Sequence, residues 1–429
     1  MKLKKLFAMS FAFIITGNLL PISQNISDNV ISTAYAEPER MVIYNDEYNS
    51  MFEYKSNGQG EIIITKCDTS ASGNIDIPDI IDGLPVRYIG KYAFKKCEKI
   101  TSINIPNSVN TIDYAAFYYC TSLKSVSIGN NVKTIDGFAF AYCRSLEKVV
   151  IPNSVNTIDQ AAFLDCTSLK SVSIGNNVKT IGSAAFSYCY GLEKVVIPKN
   201  VVEIADSAFY HCSELKSIEI RNNPTTIEEF NFAWCINLKN ITLPSSVTAI
   251  KRYSFFECRS LESLECGENV SEFYLSAIVS CENMKYLTFK NPKCEFILTD
   301  GMIDDGETFT PQSINERGMI TDKIVIKGYK NSTAETVAKK YGFKFSALPT
   351  YGDPTADGKI NSVDASEILS IYAKNAQNKS KPSSDDLECC DINKDGVVNA
   401  VDASYVLAYY AYSATNKNPV SLTDYMKKK

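Results

Sequence analysis

Apolar positions recur with a period of 23 through the middle of the chain. The motif Ala-Phe-x-x-Cys appears as Ala93-Phe94 with Cys97, and again ending at Cys120, Cys143, Cys166, Cys189 and Cys212. Degenerate copies end at Cys235, Cys258 and Cys281 without a slip in spacing. Three residues after each cysteine comes an apolar residue, then two more at alternating positions: Leu123, Val126, Ile128; Leu146, Val149, Ile151; Leu238, Ile241, Leu243. Alternation of this kind predicts a strand with one buried face. The pattern then runs through Pro106-x-x-Val109-x-x-Ile112 to the next Ala-Phe. Residues 105–150 and 151–196 match at 37 of 46 positions, so a two-repeat unit has been duplicated.

One 23-residue unit cannot bury its apolar face alone, whereas stacked units share a continuous core. The fold expected is therefore a repeat solenoid: one parallel β-sheet with short turns or helices, and Phe inserted between layers. These residues resemble the BspA-type leucine-rich repeats of bacterial surface and secreted proteins, over nine repeats at 87–289. Residues 37–86 read as an N-terminal cap, with a hairpin around Asn57-Gly58-Gln59-Gly60. Residues 290–349 read as a C-terminal cap. There Ile324-Val325-Ile326 precedes a helix opened by a Ser332…Glu335 capping box and stopped at Gly342, followed by a strand at Phe343-Lys344-Phe345. Residues 295–320 show no period and read as an irregular insertion.

The nine repeated cysteines fill one column of the stack. Neighbouring side chains there point in parallel, which leaves their Cβ atoms too far apart for a bridge. They are expected to be free thiols acting as small apolar filler.

A different chemistry follows residue 350. The run Asp391-Ile392-Asn393-Lys394-Asp395-Gly396-Val397-Val398-Asn399-Ala400-Val401-Asp402 sets side-chain oxygens at loop positions 1, 3, 5, 9 and 12. Gly396 falls at the sharp turn and Val397 offers its carbonyl at position 7. Calcium takes six to eight oxygens, and this spacing wraps one chain around it. A second copy comprises Asp353, Thr355, Asp357, Gly358, Lys359 by its carbonyl, Asn361 and Asp364. Thr355 offers a neutral oxygen, so this copy is expected to be the weaker site. Each loop runs into a helix, and neither shows a clear helix ahead of it.

Two loop–helix units within about 60 residues, with Asp at position 12 and a shared Asp-Ala-Ser, resemble a type I dockerin over residues 352–413. The resemblance implies a small all-α module at 350–416 that folds around two Ca2+ ions and docks onto a cohesin module of a scaffold protein. It also implies that recognition lies at loop positions 10–11 and on a helix face near 17–18. Here those are Ser362, Val363, Leu369 and Ser370, and Ala400, Val401, Leu407 and Ala408. Residues 417–429 read as a tail.

Composition narrows the rest. Lys+Arg number 44 against Asp+Glu 49, a net charge of −5, so no basic footprint points to nucleic acid. A single histidine, His211, leaves no partner for a His-clustered metal site. Lys2, Lys4 and Lys5 precede an apolar run from Leu6 to Leu20 and Ala34-Tyr35-Ala36, the layout of a secretory signal peptide over 1–36. No later stretch is apolar enough to span a membrane.

The expected protein is secreted and non-catalytic, a repeat module recruited to a cellulosome-type scaffold and so held in a cell-surface complex. The ligand of the repeats, protein or carbohydrate, is left open. An adhesin or host-surface binder is the alternative. A glycoside hydrolase is less favoured, since its paired carboxylates need a unique cleft and only Asp300, Asp304, Asp305 and Glu307 lie in an irregular segment. Two surface features bear on binding. Position 124 and its equivalents alternate as Lys124, Glu147, Lys170 and Glu193, a ladder expected to pair across strands. Aromatics including Tyr119, Tyr142, Tyr188 and Trp234 gather at the Ala-Phe turn, where packing between coils is the expected role.

Overall fold

A computed structural model describes residues 51–221, 223–297 and 323–429. The signal-peptide reading and most of the irregular segment, with its four acidic residues, lie outside the described residues. Glu295–Ile297, read as the start of that segment, is a strand pairing in parallel with Glu272–Tyr274.

Each 23-residue coil contributes to two parallel sheets, where the sequence pattern led to one. The Leu-x-x-Val-x-Ile stretch gives strands such as Ser125–Ser127, Lys148–Val150 and Ser171–Ser173. The second set consists of two-residue strands at Thr111–Ile112, Thr134–Ile135, Thr157–Ile158 and Thr180–Ile181. Register advances by one repeat: Thr134 faces Thr157 and Lys148 faces Ser171. The second sheet escaped the pattern because two residues are too few to show alternation, and Ile112 and Ile135 read equally well as turn anchors.

The caps are continuous with these sheets. Phe52–Ser56 pairs antiparallel with Ile62–Cys67, which in turn runs parallel to Leu84–Ile89 at the edge of the solenoid. At the other end Val325–Gly328 and Lys344–Ala347 extend the sheet beyond Tyr286–Phe289. Helix α1 (Thr333–Tyr341) begins at Ser332, whose hydroxyl accepts from the Glu335 amide, and ends at Gly342 with φ 77°. The Glu335 carboxylate reaches back to the Asn331 amide, one residue earlier than the capping box requires.

Inside the coils the Ala-Phe phenylalanines form a continuous stack. Phe94, Phe117, Phe140, Phe163, Phe186, Phe209, Phe232 and Phe255 are all fully buried. Phe117 and Phe140 lie 4.9 Å apart, Phe163 and Phe186 5.3 Å apart and nearly coplanar in orientation. Burying each ring contributes about 2–3 kcal/mol, and repetition makes this column the spine of the molecule.

The Ala-Phe turn is tight, and two columns per coil take the left-handed conformation without glycine. Ala115, Phe138, Ala161 and Ala184 form one; Tyr119, Tyr142, Tyr188, His211 and Trp234 belong to the other, all with φ between 53° and 64°. Each such residue costs on the order of 1–2 kcal/mol, which the buried Phe beside it offsets.

The C-terminal module holds α2 (Ser362–Asn378), α3 (Ser384–Cys390), α4 (Ala400–Thr415) and α5 (Leu422–Met426). Its own core comprises Ala365, Ile368, Cys390, Ile392, Val398, Ala403 and Val406. Two expectations change here. A helix, α3, does precede the second loop, closed at its start by a reciprocal Ser383–Asp386 cap; at seven residues it is too short to show an apolar period. Residues 417–429 are not a tail: Leu422 is buried, Tyr412 and Tyr425 sit 4.9 Å apart, and Tyr409 donates to the Val420 carbonyl at 2.9 Å.

Candidate calcium and docking sites

The two loops share the bonds made by their first and last aspartates. Asp353 Oδ2 accepts from the Gly358 amide at 2.8 Å and Oδ1 from Asp357 at 3.1 Å. Asp391 does the same with Gly396 at 2.8 Å and Asp395 at 3.1 Å. Gly358 and Gly396 take φ 79° and 83°, the left-handed turn that position 6 demands. The carboxylates of Asp364 and Asp402 close each loop by accepting the Asn361 and Asn399 amides, both at 2.9 Å.

Position 9 has a local duty. Asn361 and Asn399 are the N-caps of α2 and α4, their side-chain oxygens accepting from Val363 at 2.8 Å and Val401 at 2.7 Å. Each amide oxygen therefore has one lone pair left for an ion. Lys359 and Val397, at position 7, tie their amides to Asp357 and Asp395 at 2.8 and 2.9 Å.

The donor set fits a hard cation. Asp353, Asp364, Asp391 and Asp402 are buried, and among the described residues none has a cationic side chain in an ion pair. Burial, with the Asp364 charge adding to it, raises the pKa of Asp353. Burial likewise raises that of Asp402. Unpaired buried carboxylates are costly, and a divalent ion held by oxygens removes the cost. Asp353, Asp357 and Asp364 bring one oxygen each within 4.8 Å of one another. Thr355 bridges two of them, donating to Asp364 at 2.7 Å. In the second loop Asn393 instead draws Asp395 aside, donating to it at 2.8 Å.

Helices α2 and α4 carry the same exposed pattern 38 residues apart. Val363 and Val401 are 58% and 47% exposed, Leu369 and Leu407 42% and 45%. Ser362, Ala400 and Ala408 are also exposed and Ser370 is half-buried. One turn beyond the leucines, Tyr372 and Tyr410 each stand 43% exposed. Sequence reading passed over this pair, although the offset of 38 that links Leu369 to Leu407 also links the two tyrosines.

A family model described as BspA type Leucine rich repeat region matches residues 87–216 and 202–299, in six copies. A second, Dockerin type I domain, matches residues 351–409. The chain is a BspA-type leucine-rich repeat protein with a type I dockerin domain. Type I dockerins are calcium-binding modules whose partner is a cohesin, and both matched regions are of non-catalytic kinds. Among solved structures, this leucine-rich repeat protein is similar to a leucine-rich repeat protein of T. pallidum. That match has 28% identity, covers 49% of this chain and 88% of the other, and has a TM-score of 0.38. One from Bacteroides capillosus is 31% identical over 29% of this chain and 94% of its own, TM-score 0.27. A leucine rich cell surface protein of Faecalibacterium prausnitzii is 24% identical over 59% and 96%, TM-score 0.27. No curated protein matches the chain. No helix among the described residues is long and apolar enough to cross a membrane.

On the solenoid the charge ladder closes at Glu193–Lys216, 2.8 Å, and Glu262–Lys285, 2.6 Å. All four side chains are more than half exposed, so each pair contributes little. The aromatic column packs on itself. Tyr119 and Tyr142 stack at 4.5 Å, and His211 lies 5.5 Å from Tyr188 and 5.4 Å from Trp234. Ring faces that cover each other offer only their edges to a ligand, which supports packing as their role.

Proposed function

We propose that this protein is exported and non-catalytic, and that its dockerin binds two calcium ions and plugs the repeat module into a cohesin-bearing scaffold of the cellulosome type. The observation that carries the reading is the duplicated unit: a loop with buried, unpaired carboxylates, opening a helix that exposes valine and leucine. Calcium held by Asp353, Thr355, Asp357, Lys359, Asn361 and Asp364, and by Asp391, Asn393, Asp395, Val397, Asn399 and Asp402, fixes the start of α2 and of α4. That presents Ser362, Val363, Leu369 and Ser370, or Ala400, Val401, Leu407 and Ala408, as a small apolar docking face. Because the halves are alike, either helix can lead, giving two docking orientations related by a half-turn.

The repeats are the cargo, a rigid surface for a protein or carbohydrate ligand on or near the cell. A panel of recombinant cohesins, titrated by calorimetry with calcium and with chelator, tests this. Binding is expected with calcium alone. Val363 and Leu369 changed to Asp should leave affinity nearly intact, as should Val401 and Leu407 changed to Asp, while all four together abolish it. Equal binding in chelator, or full binding by the four-fold variant, would refute the reading.

A further inference from the structure

The cysteine ladder has one irregular rung. From Cys120 to Cys281, each thiol donates to the phenylalanine carbonyl 26 residues earlier: Cys120 to Phe94 at 3.1 Å, Cys189 to Phe163 at 3.3 Å, Cys281 to Phe255 at 3.1 Å. Cys97 begins the ladder and has no earlier Ala-Phe turn to donate to. Its sulfur lies 3.8 Å from the Asp68 carbonyl, a poor contact. Cys67, the last residue of the second hairpin strand, brings its own sulfur within 3.6 Å of that same oxygen. The two sulfurs meet at one carbonyl oxygen, in the space a ladder bond fills elsewhere. Both are buried. The backbone is pinned at this seam, since the Cys67 amide donates to the Ala93 carbonyl at 2.6 Å and Phe52 packs edge-on against Phe94 at 5.8 Å.

We propose that Cys67 and Cys97 form a disulfide that staples the N-terminal hairpin to the first coil, while the rest of the ladder stays reduced. Repeat arrays open from their ends, so a bond at the cap protects the whole stack. The bond closes during folding, before the seam is buried. The two S–H bonds break and one S–S bond forms; a small-molecule disulfide such as oxidised glutathione takes the two electrons and two protons and leaves as two thiols. The remaining rungs point in parallel, each committed to a carbonyl. Cys389 and Cys390 bring their sulfurs to 3.0 Å, but adjacent Cα atoms are about 3.8 Å apart, under the range of about 4.4–6.8 Å in which disulfides form without strain. The proposal rests on export only for its oxidant in the cell, and the test supplies that oxidant directly.

The full-length protein is refolded from reduced denatured chain in a glutathione redox buffer, blocked with an alkylating agent after denaturation, and digested for mass mapping. A Cys67–Cys97 linked peptide, two hydrogens lighter than the sum of its parts, is expected, with Cys120 to Cys281 recovered alkylated. The Tm should be higher oxidised than after reduction, and Cys67→Ser should erase that difference and leave Cys97 alkylated. Recovery of both Cys67 and Cys97 as singly alkylated peptides from folded wild-type protein would overturn the proposal, whatever cohesin binding shows.

Discussion

The thiol of Cys143 donates to the carbonyl of Phe117, 3.3 Å away and 26 residues earlier. The Phe117 carbonyl also receives the Cys143 amide's counterpart from its own coil, the Cys120 N–H, at 3.3 Å. Cysteine is therefore more than a filler of the right size: it ties each coil to the one before it. Burial pushes the Cys143 and Cys166 thiols above their ordinary pKa, which keeps them protonated and donating.

Replacing Cys143 with Val preserves apolar volume but removes the donor, and should cost about 1 kcal/mol. Cys143→Ala adds a cavity and should cost about 2–3 kcal/mol. Urea midpoints of the two variants and of wild type check this; a Cys143→Val midpoint equal to that of wild type would mean the bond contributes nothing.

His211 sits among Tyr188, Tyr190, Tyr210 and Trp234, and burial lowers its pKa. A base whose folded pKa is depressed binds more protons unfolded than folded. Its neutral form is fully accommodated above the unfolded value of about 6.5, and stability is lost as pH falls below that. The Tm should drop between pH 7.5 and 5.5 by more in wild type than in His211→Tyr.

Lys96 is exposed and held at φ 62° in the left-handed column. Lys96→Gly removes that strain and should stabilise the protein by about 0.5–1 kcal/mol after the entropy glycine adds to the unfolded chain. A higher urea midpoint is the expected reading, and a lower one would show that the turn holds no strain.

Asp353→Ala and Asp391→Ala should each remove one calcium equivalent from a calorimetric titration, and together they should abolish the calcium-induced gain in helix circular dichroism. Retention of both equivalents in either single variant would place the ligands elsewhere.

The 23-residue period, the buried Phe and Cys columns and both loop sequences were legible in the chain, because each is a local pattern repeated where translation along the stack gives every copy one environment. Asn361, Asp364, Asn399 and Asp402 were legible as loop oxygens, while their second duty as the caps of α2 and α4 came from the structure. What the chain concealed depends on contacts between coils. Two-residue strands such as Thr134–Ile135 exist only because Thr157–Ile158 lies beside them. The left-handed turns at Ala115 and Tyr119 carry no glycine to mark them, and are held by bonds from Ala115 to Gly137 and Tyr119 to Ala141 on the next coil. Residues 417–429 gained structure only once Leu422 had the loop at Gly352 to pack against. Sequence determined the repeat and its chemistry; tertiary stacking decided which thiols, rings and chain ends have partners, because a partner 23 or more residues away leaves no local trace.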